Sequence, residues 1–341
     1  MHVFVTGATG FIGFHTVRAL LAAGHTVRLG VRNTRKMEDL YGPLGIDTTD
    51  HVVGGITDED AISQGLEGCD GVVHTAAMVS LDANKAELVY NTNVTGTRLV
   101  IGGAVERGLK SIVHVSSVTA LYDSAASVLD ETVPVAVGAT SGYGRSKAES
   151  ERYVRKLIEE GANIAITYPC TVLGPDDPAM SEGSQGIAIF FNQAFVLTTT
   201  GIQIIDVRDL AQIHVALLEN QLSGPFMVAG HYRSWAEFGH VLERVTGRRL
   251  RKVPLPGWLL RKLGSGVDIA GKFASFDTPV TSEGVTYATR WVYADDRKVR
   301  EALNYSYRSL DETMTDTIEW LAESGHIGSY WAAKLPHSSP R

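Results

Sequence analysis

Apolar residues in the first half of the chain fall in short, nearly continuous runs, and the stretches between these runs carry apolar residues at helical spacing. The short runs predict β-strands at residues 2–5, 26–31, 51–54, 71–74, 111–116 and 163–168. The helical spacing predicts helices that include residues 11–23, 87–107 and 143–160. Strands alternating with helices predict an α/β fold, a Rossmann doubly wound parallel sheet, whose ligand crevice lies at the carboxyl ends of the strands.

The regular alternation ends near residue 170. We therefore predict a Rossmann dinucleotide-binding domain with the catalytic residues over 1–170. A smaller, discontinuous region over 171–335 would mainly bind substrate and return some segments to the Rossmann core. A serine followed three residues later by glutamate predicts helix starts at Ser234 and Ser309. Enrichment in Gly, Pro and Ser predicts a long loop over 264–284 that can act as a lid.

The composition of the chain indicates which class of protein it belongs to. The chain has 341 residues, 44% of them hydrophobic, and a net charge of -7, which fits a soluble enzyme without a nucleic-acid partner. Polar residues interrupt the most hydrophobic stretch, 186–205, so we expect a buried element beside the substrate and no membrane span. The first strand begins at residue 2 without a basic, apolar leader, which predicts a cytoplasmic protein. Cys69 and Cys170 lack metal-ligand spacing, so we expect reduced thiols and no metal.

Three glycines lie where the first predicted strand turns into the first helix. Gly7 can adopt backbone angles closed to other residues, Gly10 lets a pyrophosphate approach the main chain, and Gly13 lets helix and strand pack closely. Backbone amides at the helix start would then hold the anion. A glycine triplet also occurs in ordinary tight turns, and it is the position directly after the first strand that favours a nucleotide site.

Several motifs share one family pattern. The glycine loop reads TGATGFIG over residues 6–13, and the chain continues with HTAA at 74–77, NVTGT at 93–97, a serine pair at 116–117 and YGRSK at 143–147. Together these motifs resemble the extended short-chain dehydrogenase/reductase family, the NAD-dependent epimerase/dehydratase superfamily, in its dihydroflavonol-reductase-like branch. The resemblance is close up to residue 175 and looser beyond it. It implies an NAD(P)-dependent enzyme acting on a small molecule, and since members often dimerise through paired helices, it leaves a homodimer open.

Tyr143 and Lys147 carry the predicted chemistry, because hydride transfer to or from a carbonyl carbon also requires a proton transfer. Lys147 lies one helical turn after Tyr143, and a nearby ammonium lowers the pKa of a tyrosine. The resemblance implies that Tyr143 is the acid/base, that Lys147 lowers its pKa and binds the ribose, and that Ser117 polarises the substrate. Asn93 would support this network. Ser116 remains the alternative to Ser117, and each of these residue types also occurs at such spacing without a catalytic role.

The cofactor contacts implied by the resemblance are Gly7, Thr9, Gly10, Phe11, Ile12, Gly13, Arg32, Arg35, Lys36, Ile56, Thr75, Ala76, Ala77, Tyr143, Lys147, Tyr168, Pro169 and Val172. No Asp or Glu occurs at residues 28–36, where NAD enzymes hold the ribose with a carboxylate, and Arg32 stands where this branch binds a phosphate. We therefore predict NADP, with NAD as the alternative, although Arg35 and Lys36 are also typical of a solvated loop. The aspartate that usually ends the third strand is replaced by Gly54-Gly55-Ile56, so adenine would meet main-chain and apolar atoms.

Three segments bear on the substrate. Residues 201–203 read Gly-Ile-Gln where sugar-nucleotide enzymes commonly carry Arg-Asp-Phe, which argues against a pyrophosphate-linked sugar. Phe190, Phe191 and Phe195 fit either an apolar ligand pocket or an ordinary core. The basic run at residues 248–252 fits either an anionic substrate tail or a solvated turn.

We therefore predict an NADP-preferring oxidoreductase, a carbonyl reductase or alcohol dehydrogenase that acts on an apolar carbonyl or hydroxyl compound. A nucleotide-sugar epimerase or dehydratase using the same tyrosine is the alternative. A non-catalytic NAD(P)-binding regulator is less favoured, because such chains typically lose the tyrosine or the lysine. The sequence leaves the substrate, the reaction direction and the oligomeric state open.

Overall fold

The computed structural model describes residues 1–80, 83–136, 141–262 and 282–335. The predicted lid loop at 264–284 lies outside the described residues up to residue 281, and a helix beginning at Ser282 covers its end. Within the described ranges, no helix is both long enough and apolar enough to cross a membrane.

Twelve strands are described: β1 (His2–Thr6), β2 (Thr26–Val31), β3 (His51–Val53), β4 (Gly71–His74), β5 (Ser111–Val115), β6 (Ile164–Pro169), β7 (Thr171–Leu173), β8 (Phe195–Leu197), β9 (Gly201–Asp206), β10 (Gly224–Val228), β11 (His231–Ser234) and β12 (Lys252–Pro254). Seven of them form a parallel central sheet in the order β10-β6-β5-β4-β1-β2-β3. The chain order reverses between β1 and β4, which opens a crevice at the carboxyl ends of the strands. The predicted Rossmann fold is confirmed, and each predicted strand boundary lies within one residue of the observed one.

Helices cover both faces of this sheet. The helices on this sheet and in the rest of the chain are α1 (Phe11–Ala22), α2 (Thr34–Tyr41), α3 (Glu59–Leu66), α4 (Ala86–Thr97), α5 (Gly103–Glu106), α6 (Gly142–Glu159), α7 (Glu182–Asn192), α8 (Val207–Glu219), α9 (Trp235–Thr246), α10 (Ser282–Thr289), α11 (Arg297–Leu303) and α12 (Leu310–Glu323). Helix α1 packs against α8 on one face, and α4 packs against α6 on the other. Because side chains alternate along a strand, Val3 and Val5 join the core on the α1 side and Phe4 joins the core on the α6 side.

The predicted helix at 87–107 is not continuous. Helix α4 ends at Thr97, a π-helical turn spans Arg98–Gly102, and α5 follows. Consecutive glycines at 102 and 103 weaken the regular helix, and a Cβ at Gly102 would lie 2.4 Å from the hydroxyl of Tyr153 on α6. The widened turn therefore lies where the backbone approaches α6 closely, which spacing of apolar residues does not reveal.

The remaining strands and helices α7, α9 and α12 enclose a core of their own, the second core of the chain beside the two-sided core of the Rossmann sheet. Strands β11, β9 and β7 make one small sheet, and β12 pairs with β8 in another. Phe191 and Phe195 are buried there, and Phe190 packs edge-on against Phe195 and Trp235, so these aromatic residues build the core of this region. The hydroxyl of Ser234 begins α9 in a reciprocal capping box with Glu237, as the spacing predicts. The other predicted helix start is also observed. The hydroxyl of Ser309 caps α12 by accepting a hydrogen bond from the amide of Glu312.

Candidate active site

The glycine loop between β1 and α1 is a close-packed cradle. Gly7 has a φ of +71°, and a Cβ added there would lie 2.9 Å from the backbone nitrogen of Ala76 after β4. A Cβ at Gly13 would lie 2.1 Å from the carbonyl oxygen of Gly7. Gly10 is the N-cap of α1 and provides no side chain to bind its first amides, so these amides are available to an anion.

Replacing Gly13 by alanine is expected to destabilise the protein by about 1–3 kcal/mol or more, because the added methyl overlaps a backbone carbonyl that has no room to move. The matched control is Gly186→Ala, since Gly186 lies within helix α7 and nothing lies within 4 Å of the place its methyl would occupy. Urea unfolding of both variants measures the difference. Equal midpoints for the two alanine variants would contradict the close packing at Gly13.

The cradle is held by three hydroxyl groups, those of Thr6, Thr75 and Tyr41. Thr75 donates to the carbonyl of Thr6 at 2.8 Å, and the Thr6 hydroxyl lies 2.7 Å from Nδ1 of His74. The buried Tyr41 at the end of α2 donates to the carbonyl of Ala8 at 2.6 Å. The sequence does not reveal this role of Tyr41, because an aromatic residue at a helix end carries no local sign of a partner in the glycine loop.

The end of β2 presents cations. Arg32 and Arg35 are exposed, Lys36 is half-buried, and none of the three side chains forms an ion pair or hydrogen bond with the described residues. Asn33 caps α2 by accepting a hydrogen bond from the Lys36 amide at 3.0 Å. Ile56, after β3, lies against α4, where a Cβ at position 96 would overlap its side chain. Arg32 precedes α2, and Arg35 and Lys36 lie in its first turn. The three cations are therefore at the N-terminus of a helix, a position that favours phosphate.

Tyr143 and Lys147 meet at the start of α6. Ser141 caps this helix by accepting from the Gly144 amide at 2.9 Å, which places Tyr143 in the first turn. The Lys147 Nζ lies 5.7 Å from the Tyr143 ring centroid and donates to the carbonyl of Val115 at 3.1 Å. Lys147 is only 6% exposed, and this burial lowers its pKa from 10.5 to about 8, while the charge of Glu151 opposes the shift.

Ser116 and Ser117 follow β5 in different environments. Ser116 is buried, and its hydroxyl has no hydrogen-bond partner among the described residues. Ser117 is half-buried and begins a short 3₁₀ turn, where its Oγ accepts from the Thr119 amide at 3.2 Å. That acceptance leaves the Ser117 hydroxyl hydrogen available to a substrate oxygen. The greater accessibility favours Ser117 over Ser116 as the polarising group.

Asn93 of α4 is buried where this helix meets α6 and the loop after β4. Its side chain accepts from the Met78 amide at 2.7 Å, donates to the Met78 carbonyl at 3.0 Å and donates to the Ser146 hydroxyl at 2.9 Å. Ser146 in turn donates to the carbonyl of Tyr143 at 2.7 Å. Asn93 therefore positions the loop after β4 against the first turn of α6.

The end of β6 and the strand β7 that follows it place their side chains in different environments. Tyr168 is fully buried, and its hydroxyl donates to Glu151 and accepts from Arg155 at 3.0 Å, so only its main chain is left for the predicted cofactor contact. Pro169 ends β6, and Val172 is half-buried in β7. The other predicted cofactor residues lie in the glycine loop or after β4; among them Phe11 is buried, Thr9, Ile12, Thr75 and Ala76 are half-buried, and Ala77 is exposed.

These placements bring most of the predicted site to one edge of the sheet. The glycine cradle, Thr75, Ser117, Lys147 and Pro169 follow or cover the carboxyl ends of neighbouring strands β1, β4, β5 and β6. The basic run does not join them, because it follows α9 in the second core. There Arg248 stacks 5.2 Å from the ring of Tyr330 and Lys252 pairs with Glu243, while Arg249 and Arg251 are exposed beside a cavity of about 520 Å³.

The glycine loop fits a dinucleotide, since the amides at the start of α1 lack a side-chain cap and Gly10 places no side chain in front of them. The model of the NAD dependent epimerase/dehydratase family matches residues 3–230. The chain belongs to this family. It is accordingly an NAD(P)-dependent enzyme. Among the described residues, no group of three or more His, Cys, Asp or Glu side chains is arranged to hold a metal ion.

Curated relatives and a solved structure extend this likeness over nearly the whole chain. A Synechocystis sp. protein provisionally assigned as dihydroflavonol 4-reductase is 29% identical over 333 residues, covering 95% of each chain. Sterol demethylase protein B of Methylococcus capsulatus is 28% identical and covers 96% of this chain and 100% of its own. The crystal structure of gox2253 has a TM-score of 0.78 at 27% identity, covering 95% of this chain and 99% of its own.

Proposed function

We propose that the protein is an NADP-preferring oxidoreductase that interconverts an apolar carbonyl compound and its alcohol, with Tyr143 as the acid/base. The observation that carries this proposal is the buried Lys147 ammonium, 5.7 Å from the Tyr143 ring, at the carboxyl edge of the sheet. A tyrosine has an ordinary pKa of about 10 and is a useful acid or base near neutrality only beside such a cation.

The bound nicotinamide would supply the hydride in reduction and accept it in oxidation. In reduction, the Tyr143 hydroxyl donates its proton to the carbonyl oxygen as the carbon receives the hydride, and the product is the alcohol. Ser117 donates a hydrogen bond to the same oxygen and stabilises its developing negative charge. Lys147 stabilises the tyrosinate that remains, which regains its proton from solvent. Oxidation runs through the same groups in reverse.

The substrate class rests on the second core. In the segment that stands where sugar-nucleotide enzymes carry Arg-Asp-Phe, Gly201 takes the place of the arginine. Gln203 is buried and exchanges two hydrogen bonds with the main chain of Ala294, at 2.8 and 2.9 Å. Its amide therefore supports the fold and offers no charge to a pyrophosphate. The names of two relatives refer to a dihydroflavonol and to a sterol, both fused-ring compounds without a nucleotide. We infer a ring ketone or its alcohol as the substrate.

The test mixes purified protein with NADPH and a panel of aromatic, aliphatic and steroid ketones and follows the nicotinamide absorbance. Oxidation of NADPH with one ring ketone and formation of its alcohol are expected. A parallel arm incubates the protein with NAD and nucleotide sugars and analyses the products. Epimerised or dehydrated sugar, with no ketone reduced, would replace the proposal with the epimerase/dehydratase alternative. Nucleotide binding without either reaction would favour a non-catalytic role.

Arg32→Ala is expected to weaken NADPH binding by about ten- to a hundredfold and to leave NADH binding nearly unchanged. Arg32 is exposed after β2, and a charge-assisted hydrogen bond to the 2′-phosphate contributes about 1.5 to 3 kcal/mol. Titrating both cofactors into wild type and variant measures the difference. Arg297→Ala is the control, since that arginine pairs with Asp295 elsewhere on the chain. Equal losses for both cofactors, or a wild type that prefers NADH, would contradict the NADP assignment.

A further inference from the structure

Glu151 is a fully buried carboxylate beside the proposed catalytic pair. It lies four residues after Lys147 on α6, and residues at this spacing share one face of a helix. That face packs on the central sheet, where the Lys147 Nζ contacts the carbonyl of Val115 in β5 and the hydroxyl of Tyr168 in β6 reaches Glu151. The two charged side chains of α6 therefore enter the same buried layer.

The two oxygens of Glu151 have different surroundings. Oε1 accepts hydrogen bonds from Tyr168 and, at 2.7 Å, from Nε of Arg155. Oε2 is buried and has no hydrogen-bond partner among the described residues. A buried carboxylate is costly to the fold, and one oxygen without a donor makes it more so. The cost of burying the Glu151 carboxylate indicates that its charge has an electrostatic role.

The groups around Lys147 indicate that this role is to hold the lysine proton. His74 of β4 and His114 of β5 lie near it, and burial and the Lys147 charge both lower their pKa, that of His74 to about 3, so both rings are uncharged at neutral pH. Helix α4 contributes Asn93 and Thr97 to α6, which carry no charge. Among the described residues, the charge that raises the pKa of Lys147 against its burial is that of Glu151.

We propose that Glu151 is a positioning residue that keeps Lys147 protonated and thereby sets the acidity of Tyr143. This inference rests on the proposed roles of Tyr143 and Lys147. Arg155 pairs with Glu151 through its Nε at 2.7 Å and so supports the carboxylate in its buried site. The sequence shows the four-residue spacing of Lys147 and Glu151. It does not show that both side chains are buried, and this burial strengthens the electrostatic interaction between them.

The test is the pH profile of alcohol oxidation, which requires Tyr143 without its proton and so rises with pH. In Glu151→Gln, Lys147 loses its proton at lower pH, and Tyr143 loses the cation that acidifies it. The rising limb is expected to move to higher pH by on the order of one unit, which is about a tenfold loss of kcat below it. A uniform fall in kcat with no movement of the limb would overturn the proposal and leave Glu151 a structural partner of Tyr168.

Glu151→Asp gives a second variant, because it keeps a carboxylate at this position of α6. Its limb is expected to lie between those of wild type and Glu151→Gln; a limb displaced as far as in Glu151→Gln, although the charge is kept, contradicts the proposal. The control is Glu149→Gln on the same helix, where Glu149 pairs with Arg152 at 3.2 Å at the surface. Its profile should match wild type.

A direct titration separates this inference from the proposed function. The ¹³Cε resonance of Lys147, assigned by its loss in Lys147→Met, reports the protonation of the ammonium in the cofactor-free enzyme without any turnover. We expect it to titrate near pH 8 in wild type and at lower pH in Glu151→Gln. An unchanged titration overturns the role of Glu151 whatever the enzyme does. A lowered titration with an active Tyr143→Phe variant would support it while refuting the role of Tyr143.

Discussion

Tyr143→Phe is expected to lose about 10²- to 10⁴-fold or more in kcat while binding NADPH as wild type does. The phenylalanine ring keeps the packing beside Lys147, but no hydroxyl remains to donate a proton to the carbonyl oxygen. Steady-state kinetics with the ketone identified in the panel, together with a cofactor titration, measure the two quantities separately. Activity above a tenth of wild type would remove Tyr143 from the proposed mechanism.

Tyr153→Phe provides the matched control for that experiment. Tyr153 lies on the same helix, stacks against Arg98 at 5.7 Å and packs beside the π-helical turn. The same loss of a hydroxyl there should leave kcat and cofactor affinity unchanged. A comparable loss in both variants would mean that a hydroxyl on α6 serves the fold, and the effect at Tyr143 would then carry no mechanistic information.

The sequence predicts those parts of the structure that rest on local spacing. Short apolar runs locate the strands, since a parallel strand covered on both faces is apolar throughout. The glycine triplet predicts the cradle because Gly7 and Gly13 meet within a few residues of each other. Tyr143 and Lys147 are close for the same reason, one turn apart on a single helix.

What the sequence does not predict depends on contacts between distant segments. Strand β10 joins the central sheet beside β6, with Gly224 opposite Ala165, and nothing local to either segment indicates that pairing. Tyr168 is predicted as a cofactor contact, yet its side chain lies on the α6 face of β6 with Ile164 and Ile166. A strand buried on both faces shows no alternation of polarity, so the direction of that side chain is hidden in its sequence.

Lys147→Met is expected to lower kcat by at least about a hundredfold and to weaken cofactor binding, yet to leave the cofactor-free protein at least as stable as wild type. Methionine fills the buried site with a similar apolar stem and carries no charge. Burial depresses the pKa of Lys147 from 10.5 to about 8, so the folded protein holds its proton less firmly than the unfolded chain does. The lysine therefore costs stability wherever it is charged.

The destabilising effect of Lys147 on the folded protein depends on pH. Between pH 8 and 10.5 the unfolded chain binds more protons at Lys147 than the folded protein, so wild-type stability gains a contribution as the pH rises through this window. The methionine variant lacks that contribution. Its advantage in the free energy of unfolding should be largest below pH 8 and should shrink towards pH 10.5, as urea unfolding of both proteins at pH 7 and pH 10 would measure. A variant that is less stable than wild type at both pH values would make Lys147 a structural residue, because its loss of activity would then follow from the loss of the fold.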